Sequence, residues 1–428
     1  MKYIISTLGC KVNQYETQAI ESILCSRGHI KTNENETADV VIVNTCAVTS
    51  ESERKCRQEI RKLKEENQNC ILAVCGCYSQ IAIDDMEKLG ADVIYGSNDR
   101  IDFVSSVENA YFNNEKKVEI DDPFKRFEFE DLPSGSYSGR TRAMLKVQDG
   151  CVNFCSYCII PYTRGRLRSL SINKAVDEAE RIYNEGYSEL VITGIEISSY
   201  GDDLHSGEKL QDLICAVADS VPELRIRLGS LEPTIVTEEF CSRLSQRKNI
   251  CRHFHLALQS GCTETLKRMN RKYSTEVFYE KVQLLRKYFP KCGITTDLIV
   301  GFPGESEEEF ENTLKFLDKC EFSQVHIFPY SRRKGTPADS MPNQITRIEK
   351  AARSKRAKSV TNKTRKNYME SFIGETLPVL FETNKENTWE GHSDTYLLVQ
   401  AEGENLRGLV KNVKILSVKA EKLVGVIV

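Results

Sequence analysis

The segment MLKVQDGCVNFCSYC, residues 144 to 158, joins an apolar stretch of strand character to three closely spaced cysteines. Cys151, Cys155 and Cys158 form a C-x3-C-x2-C pattern. Three thiolates on one short loop can hold three corners of a cubic iron–sulfur cluster and leave the fourth iron without a protein ligand. A structural zinc ion usually takes four ligands in two pairs, and no nearby His or Cys completes such a set. The pattern therefore favours an iron–sulfur cluster with one open iron.

The sequence that follows predicts the fold that carries this loop. From about residue 143 onwards, six apolar strand-like stretches alternate with helical stretches. Six consecutive βα units indicate a partial (β/α)6 barrel, in which functional residues lie at the C-terminal ends of the strands. The three cysteines directly follow the first strand, so we expect them at the mouth of the barrel. Ser306 and Glu309 form a capping box that predicts the start of the last helix of the series.

Residues 1–113 show an earlier alternation of strands and helices, which predicts a mostly parallel α/β sheet. Cys10, Cys46 and Cys77 each come directly after one of its first three strands. Because the C-terminal ends of parallel strands lie along one edge of a sheet, we expect these cysteines to converge. Taken singly, each would be an ordinary buried cysteine. Cys75 falls inside the apolar strand and is interpreted as a core residue, and no motif joins the other nine cysteines to either triplet.

The remaining chain completes a three-domain organisation. Residues 114–136 contain Pro, Gly and Ser without a clear period and are predicted to be a linker. The barrel domain is assigned to 137–366, and residues 367–428 have the short strands and polar turns of a small antiparallel β-barrel. The net charge of −3 excludes a global basic field, so any nucleic-acid binding would use local patches. No apolar run reaches the length of a membrane span, and the N-terminal stretch is too short for an export signal, which predicts a cytoplasmic protein.

The C-x3-C-x2-C pattern with Tyr157 before the last cysteine resembles the radical S-adenosylmethionine (SAM) enzymes. The resemblance implies that SAM chelates the open iron of a 4Fe-4S cluster through its amino and carboxylate groups. It also implies that one electron from the cluster cleaves SAM into methionine and a 5'-deoxyadenosyl radical. Cys151, Cys155 and Cys158 would then be the catalytic cluster ligands.

The N-terminal segments LGCKVNQYE, NTCAVT and GCYSQ resemble the methylthiotransferases, and this resemblance covers essentially the whole chain. It implies that Cys10, Cys46 and Cys77 hold a second, auxiliary 4Fe-4S cluster and that the C-terminal barrel is a TRAM-like domain. One SAM would donate its methyl to sulfur held at the auxiliary cluster, and another would supply the radical. An unactivated aromatic C–H has neither a leaving group nor an acidic proton, so acid–base catalysis alone cannot install sulfur there.

Further strand-end residues are candidates for SAM or substrate contact. Gly194 and Glu196 in TGIEISSYG could face the SAM amino group. The other candidates at strand ends are Arg227, Ser230, Gln259 and Asp297, and Tyr157 of the cysteine loop is a further candidate for cofactor binding. Residues at this end of a barrel are often functional, but each could equally satisfy the backbone or hold the barrel together.

The substrate is predicted from motif resemblance. TLGCKVNQYET, TGIEISSYGDD and FPYSRRKGTPA look most like the branch that acts on N6-threonylcarbamoyladenosine beside the anticodon (position 37) of tRNA. The resemblance implies methylthio transfer to carbon 2 of that base. The alternatives are isopentenyladenosine in tRNA, an aspartate of a ribosomal protein, and a non-catalytic iron–sulfur RNA-binding module. Besides tRNA, the expected partners are an electron donor such as flavodoxin or ferredoxin and a sulfur source, with no membrane.

Several cationic and aromatic residues have two interpretations. Arg164, Arg166 and Arg168, and the basic stretch 347–366, could meet phosphates or serve the protein's own structure. Arg332 and Arg333 could bind the threonyl carboxylate or pair with acids of the protein. Three aromatic residues of the C-terminal domain could stack on bases, although core packing is the favoured interpretation: Phe381, Trp389 and Tyr396.

Overall fold

The computed structural model describes residues 1–32, 36–132, 141–385 and 388–428. The N-terminal domain is a six-stranded parallel sheet. The strand order is β2-β1-β3-β4-β5-β6. Its strands are β1 Lys2–Thr7, β2 Ile30–Lys31, β3 Val40–Thr45, β4 Ile71–Gly76, β5 Val93–Tyr95 and β6 Lys117–Glu119. Its helices are α1 Lys11–Ser26, α2 Ser50–Glu66, α3 Cys77–Ile81, α4 Ile83–Lys88 and α5 Arg100–Asn113. Strand β3 is buried along its whole length, as its continuous apolar sequence predicts.

Two edge strands of this sheet were not predicted from the sequence. Strands β2 and β6 have only two and three residues, too few for a periodic pattern. Strand β6 falls within the predicted linker 114–136, which is therefore not an unstructured connection in its described part. Residues 133–136 of that segment lie outside the described residues.

The central domain is the expected partial barrel, built from two four-stranded sheets. Its strands are β7 Arg142–Asp149, β8 Arg168–Ser169, β9 Glu189–Gly194, β10 Arg225–Leu228, β11 Ser230–Leu231, β12 His253–Leu256, β13 Gly293–Val300 and β14 Gln324–Pro329. Its helices are α6 Ile160–Arg164, α7 Ile172–Asn184, α8 Leu210–Ser220, α9 Glu238–Ser245, α10 Thr263–Arg268, α11 Thr275–Tyr288, α12 Glu307–Cys320, α13 Pro337–Ser340 and α14 Arg347–Glu370. The predicted third strand corresponds to β10, and the two-residue strand β11 that follows it in the other sheet was not predicted. The predicted capping box at Ser306 and Glu309 is confirmed.

The C-terminal domain is a closed five-stranded barrel in the order β15-β16-β17-β19-β18. Its strands are β15 Thr376–Lys385, β16 Thr388–Ser393, β17 Leu398–Glu402, β18 Val410–Lys419 and β19 Lys422–Ile427. All neighbouring pairs are antiparallel except β17 with β19, which are parallel. Phe381 and Trp389 belong to its hydrophobic core, which confirms core packing as their role.

Charged residues of the central barrel form a contact with the C-terminal barrel. Glu189 pairs with Arg225 at 2.8 Å and with Arg227 at 2.7 Å, and Arg142 lies near the same carboxylate. We call Arg142, Glu189, Arg225 and Arg227 the barrel floor. The first three begin β7, β9 and β10, and Arg227 is the third residue of β10. Arg227 also donates hydrogen bonds to the carbonyls of Ser393 and Asp394 in the C-terminal domain. The two barrels therefore share a buried polar junction.

A second polar junction ties the N-terminal domain to the central barrel. Glu16 of helix α1 is fully buried and pairs with Arg100 of its own domain at 2.9 Å. The same carboxylate pairs with Lys146 of β7 at 3.2 Å and with Arg164 of α6. One acid thus receives cations from three separate parts of the chain. No helix in the described part of the protein combines the length and apolar character needed to cross a membrane.

Candidate functional site

The first cysteine triplet lies on a backbone loop that several hydrogen bonds fix. Gly150 precedes it with φ of 78°, and a Cβ at this position would lie 1.7 Å from the Arg166 carbonyl oxygen. The Cys151 N–H donates to the Gly165 carbonyl at 3.0 Å, and the Cys158 N–H donates to that of Cys155 at 2.9 Å. The loop therefore turns sharply at the end of β7 and closes on itself, which places the cysteines at the C-terminal end of the first barrel strand.

The thiols of this triplet lie in an enclosed environment. Burial raises the pKa of the Cys151 and Cys158 thiols to about 12, and the neighbouring cysteines add to the effect. Arg271 donates a hydrogen bond from Nη1 to the sulfur of Cys155 at 3.1 Å. Buried thiolates require positive partners, which iron and this guanidinium would supply.

The second triplet collects at the C-terminal edge of the N-terminal sheet. Cys10 precedes helix α1, Cys46 follows β3, and Cys77 begins helix α3 directly after β4. Cys77 acts electrostatically on both Cys10 and Cys46, and burial raises the pKa of the Cys46 thiol to about 12. A Cβ on Gly9 would lie 2.9 Å from the Cys46 Cβ, so the first two loops touch. The structure thus brings together three cysteines that are far apart in sequence.

The donor set of each triplet fits an iron–sulfur cluster. All six cysteines are free thiols, so each sulfur is available as a ligand. Three thiolates would bind three irons of a 4Fe-4S cluster and leave the fourth without a protein ligand, whereas a structural zinc ion usually takes four protein ligands.

The two triplets are neighbours. Cys77 contributes to the raised pKa of the Cys158 thiol, whose largest cause is burial, so the two thiols lie within electrostatic range. Ile159, which follows Cys158, packs in the same hydrophobic cluster as Cys46 and Cys77. Helix α6 therefore packs against helix α3, which begins at Cys77.

Arg164 stands between these groups and is fully buried. Its Nε donates to the sulfur of Cys77 at 3.2 Å, and its Nη2 donates to the Asn13 side chain at 3.1 Å. The same guanidinium pairs with Glu16 and, at 3.4 Å, with Asp149. Burial alone would raise the pKa of the Glu16 carboxyl, but Arg164 together with other cations lowers this pKa.

A small cavity of about 160 Å³ opens beside Cys155. Glu196, Glu232 and Arg271 line it together with that cysteine. Arg271 binds the Glu232 carboxylate with Nη2 at 2.5 and 2.7 Å. The Glu196 carboxylate accepts hydrogen bonds from the backbone of Ser198 and the hydroxyl of Ser199. The chain thus offers carboxylates and a cation beside the cysteine loop, where SAM would present its amino and carboxylate groups.

The structure gives the other predicted contact residues varied positions. Gly194 is packed so closely against β7 that a Cβ would lie 2.7 Å from the Gln148 carbonyl oxygen. Ser230 is exposed at the start of β11. Tyr157 packs beside a small core cluster that includes Met269 and Phe302.

The predicted contacts Gln259 and Asp297 meet at strand β13. Gln259 has φ of 65°, and its backbone exchanges hydrogen bonds with Asp297 and Ile299 of β13. The Asp297 carboxylate lies 3.4 Å from His255 Nε2. A neighbouring His326 completes a cluster whose potential ligand atoms all lie within 4.8 Å of one another.

Arg227 was predicted to contact SAM, but in the structure it contacts other residues of the protein. It belongs to the barrel floor, binds Glu189 in a bidentate manner at 2.7 and 3.0 Å, and reaches the C-terminal domain. The Cys155 cavity is lined by other residues. The structure therefore gives no support to the predicted SAM contact at Arg227.

The basic residues that had two interpretations differ in burial and in their partners. Arg164 and Arg168 are fully buried, whereas Arg166 is exposed. Arg332 pairs with Asp339 at 2.6 Å, and buried Arg333 pairs with Glu53 at 2.8 Å. These last two arginines thus meet acids of the protein itself.

Basic residues of helix α14 also bind acids within the chain. Arg353 pairs with Glu305 at 2.7 Å, and Arg356 pairs with Glu307 and Glu311. Tyr396 stacks on His253 with ring centroids 4.6 Å apart, below the guanidinium of Arg227. Part of the predicted phosphate-binding surface therefore has a structural role.

Arg271 and Glu232 are the residues of the site that sequence reasoning missed. Glu232 directly follows strand β11, two positions after the predicted contact Ser230, so its strand-end position was a usable signal. Arg271 lies beyond helix α10 in a polar loop, where no local pattern marks it.

Comparison with protein families gives two matches along this chain. Residues 145–317 match the Radical SAM superfamily, and residues 2–96 match the family described as Uncharacterized protein family UPF0004. These ranges contain the first and the second cysteine triplet, respectively.

Curated relatives match over nearly the full length. The threonylcarbamoyladenosine tRNA methylthiotransferase MtaB of Bacillus subtilis (strain 168) is 36% identical over 419 residues, covering 96% of this chain and 92% of the relative. The protein of the same name from Chlamydia pneumoniae is 37% identical and covers 98% and 97%. The tRNA-2-methylthio-N(6)-dimethylallyladenosine synthase of Clostridium novyi (strain NT) is 34% identical and covers 100% and 96%.

A solved structure shares the fold. The radical SAM methyltransferase TsrM from Kitasatospora setae aligns with a TM-score of 0.58 over 79% of this chain and 77% of that chain, at 15% identity. Such low identity supports the architecture alone. The full-length relatives carry the assignment further, because their identity exceeds 30% over alignments that cover nearly the whole chain. This chain belongs to the radical-SAM methylthiotransferase family and is an enzyme that uses SAM and 4Fe-4S chemistry.

Proposed function

We propose that the enzyme transfers a methylthio group to carbon 2 of N6-threonylcarbamoyladenosine beside the anticodon (position 37) of tRNA, with two 4Fe-4S clusters and SAM. The observation that carries the proposal is the adjacency of two cysteine triplets from two different domains. Cys77 acts electrostatically on Cys158, and Ile159 packs against the cysteines of the N-terminal domain. A reaction that joins a sulfur group to a radical-activated carbon requires its two cofactor sites to face a common substrate.

The chain's own residues have distinct tasks in this proposal. Cys151, Cys155 and Cys158 would hold the SAM-binding cluster, and Cys10, Cys46 and Cys77 the auxiliary cluster. When bound, the clusters and SAM supply the methyl group, the sulfur carrier and the radical chemistry that side chains lack. Glu196 and Glu232 offer carboxylates to an ammonium group, and Arg271 offers a donor beside Cys155.

The choice of substrate rests on motif resemblance and on the names of relatives. Relatives named for threonylcarbamoyladenosine are 33 to 37% identical to this chain, and those named for dimethylallyladenosine are 32 to 34% identical. Because these values overlap, sequence identity does not separate the two substrates. tRNA as a partner, an electron donor and a sulfur source remain predictions.

Mass spectrometry of nucleosides tests the proposal. The reconstituted enzyme is incubated anaerobically with SAM, a reductant, and tRNA that carries either the threonylcarbamoyl or the isopentenyl modification. We expect a methylthio mass gain on the threonylcarbamoyl adenosine alone. A gain on the isopentenyl form alone would move the enzyme to the other tRNA branch. SAM cleavage without gain on either tRNA would favour the ribosomal-protein aspartate, and no SAM cleavage at all would favour a non-catalytic module.

A further inference from the structure

A cavity of about 350 Å³ lies where all three domains meet. Lys11 of helix α1 enters it from the N-terminal domain, Arg142 and Arg227 from the barrel floor, and Glu382 and Arg407 from the C-terminal domain. Its volume falls within the range of about 300–1,000 Å³ that is typical of small-molecule sites. The lining is strongly cationic, which favours an anionic ligand.

The arginines of the barrel floor already have carboxylate partners. Arg142 pairs with Glu382 at 2.5 Å, and Arg227 pairs with Glu189 at 2.7 Å. Lys11 differs, because in the described ranges no carboxylate oxygen lies within 4.0 Å of its ammonium and no hydrogen bond joins it to the protein. The cavity therefore keeps a positive charge that the protein does not neutralise by direct contact.

Lys11 is the first residue of helix α1, and its side chain is exposed to solvent at the cavity. Arg142 and Arg227 line the same cavity, so three cations surround one space. An anion bound next to Lys11 would offset the repulsion between its ammonium and the two guanidinium groups.

The position of Lys11 along the chain connects the cavity to the reaction. Lys11 directly follows Cys10, so its ammonium lies no further than the length of one lysine side chain from the backbone beside an auxiliary cysteine. In the proposed substrate, the threonylcarbamoyl group on N6 and the reacting carbon 2 flank the same edge of the adenine ring. A carboxylate held by Lys11 would therefore fix the position of the reacting edge relative to the N-terminal domain.

We propose that this cavity binds the threonyl carboxylate of the substrate through Lys11, an assignment that rests on the proposed function. The arginines first considered for this role, Arg332 and Arg333, bind Asp339 and Glu53 instead. An isopentenyl group has no carboxylate and would leave the Lys11 ammonium without a counter-charge. Lys11 thereby selects the threonylcarbamoyl adenosine over its apolar counterpart.

The test combines two enzymes with two substrates. Wild type and Lys11→Gln are each given a short anticodon stem-loop RNA bearing either the threonylcarbamoyl adenosine or its analogue in which the threonyl carboxylate is a carboxamide. Methylthio gain measured by mass spectrometry gives kcat/KM for each combination. We expect wild type to prefer the carboxylate by about 10- to 100-fold, because hydrogen bonds to charged groups are of that strength. Lys11→Gln should lose most of this preference, mainly through KM.

Two further variants sharpen the comparison. Lys11→Arg keeps the charge and should keep the preference, whereas Lys88→Gln removes an exposed lysine elsewhere in the N-terminal domain and should behave as wild type. Equal use of the carboxylate and the carboxamide by wild type would overturn the assignment without any variant. A full preference in Lys11→Gln would overturn it as well. If wild type gains no methylthio group on either RNA, the proposed substrate fails together with the assignment.

Discussion

Arg164 donates a hydrogen bond from Nε to the sulfur of Cys77 across 3.2 Å, although 87 positions separate the two residues. Arg164 belongs to the helix that directly follows the first cysteine triplet, whereas Cys77 belongs to the second. The guanidinium also pairs with Glu16 and Asp149. A single buried side chain thus joins Cys77 of the second triplet to the helix that follows the first triplet.

Replacing Arg164 by Met should destabilise the fold and alter the auxiliary site. Removing one partner of a buried charge network typically costs about 3–5 kcal/mol. Loss of a hydrogen bond to a ligand sulfur should also lower the reduction potential of the cluster held there. Thermal unfolding and a redox titration followed by electron paramagnetic resonance measure both effects. Arg164→Lys keeps the charge and should recover most of the stability, and Arg166→Met, at an exposed position, is the control. Unchanged stability and potential in Arg164→Met would contradict the prediction.

The two triplets should respond differently to substitution. Ser at Cys151, Cys155 or Cys158 should abolish formation of 5'-deoxyadenosine, because an open iron for SAM would be lost. Ser at Cys10, Cys46 and Cys77 together should prevent methylthio transfer but spare SAM cleavage, and should lower the iron content by about half. Chromatography of the reaction products and an iron assay provide the measurements.

Cys75 offers a matched control for Cys77, since it is fully buried two positions earlier. Cys75→Ala should leave the iron content unchanged and cost about 1 kcal/mol of stability through the lost packing. Equal iron loss in Cys75→Ala and Cys77→Ala would argue against the assigned ligand set.

Replacing Gly150 by Ala should disturb the first cysteine loop. Its φ of 78° disfavours any side chain, and the added Cβ would lie 1.7 Å from the Arg166 carbonyl oxygen. The backbone would have to move directly before Cys151. We expect a loss of stability of about 1–3 kcal/mol and incomplete iron loading, measured by unfolding and by the iron assay. Gly186→Ala has a positive φ but no atom within 4 Å of the added Cβ. This variant therefore measures the cost of the backbone conformation without a steric clash.

The ion pairs of the barrel floor should make the free energy of unfolding depend on pH. Burial raises the pKa of the Glu189 carboxyl, but Arg227, Arg225 and Arg142 outweigh this effect and lower the pKa to about 2. An unfolded glutamate has a pKa of about 4.3. Because the folded value is the lower one, the stabilisation is complete above about pH 4.3 and is lost as the pH falls towards 2, up to about 3 kcal/mol.

Glu189→Gln should therefore be less stable than wild type at neutral pH, and the difference should shrink as the pH is lowered from 5 to 3. Unfolding midpoints across this range measure it. Glu404→Gln removes an exposed carboxylate and should follow the wild-type curve. A difference between Glu189→Gln and wild type that stays constant with pH would show that Glu189 is not held ionised by the floor arginines.

The features that could be predicted from the sequence are those with local patterns. Strand and helix alternation predicted both α/β domains, and the strand ends predicted that Cys10, Cys46 and Cys77 would meet. The capping box predicted one helix start correctly. The edge strands β2 and β6 were missed because two or three residues carry no period.

The polar junctions could not be predicted, because their partners are far apart in the chain. Glu16 and Arg164 are separated by 148 positions, and Arg227 reaches a carbonyl 166 positions away. Nothing near either residue distinguishes a buried ion pair from an exposed charge. Arg227 was therefore interpreted as a cofactor contact although it belongs to the barrel floor. Such pairs depend on how whole domains pack, which periodicity does not encode.

Glu16 has a consequence for how the protein is made. It emerges early in synthesis, but Lys146 and Arg164 follow 130 and 148 residues later. Chains are synthesised from the N-terminus at about 5–20 residues per second, so for several seconds the nascent N-terminal domain holds this acid with Arg100 alone. We expect that domain to mature only after helix α6 has left the ribosome. Iron would then reach the N-terminal cysteines late, when Arg164, which donates to the Cys77 sulfur, is already present.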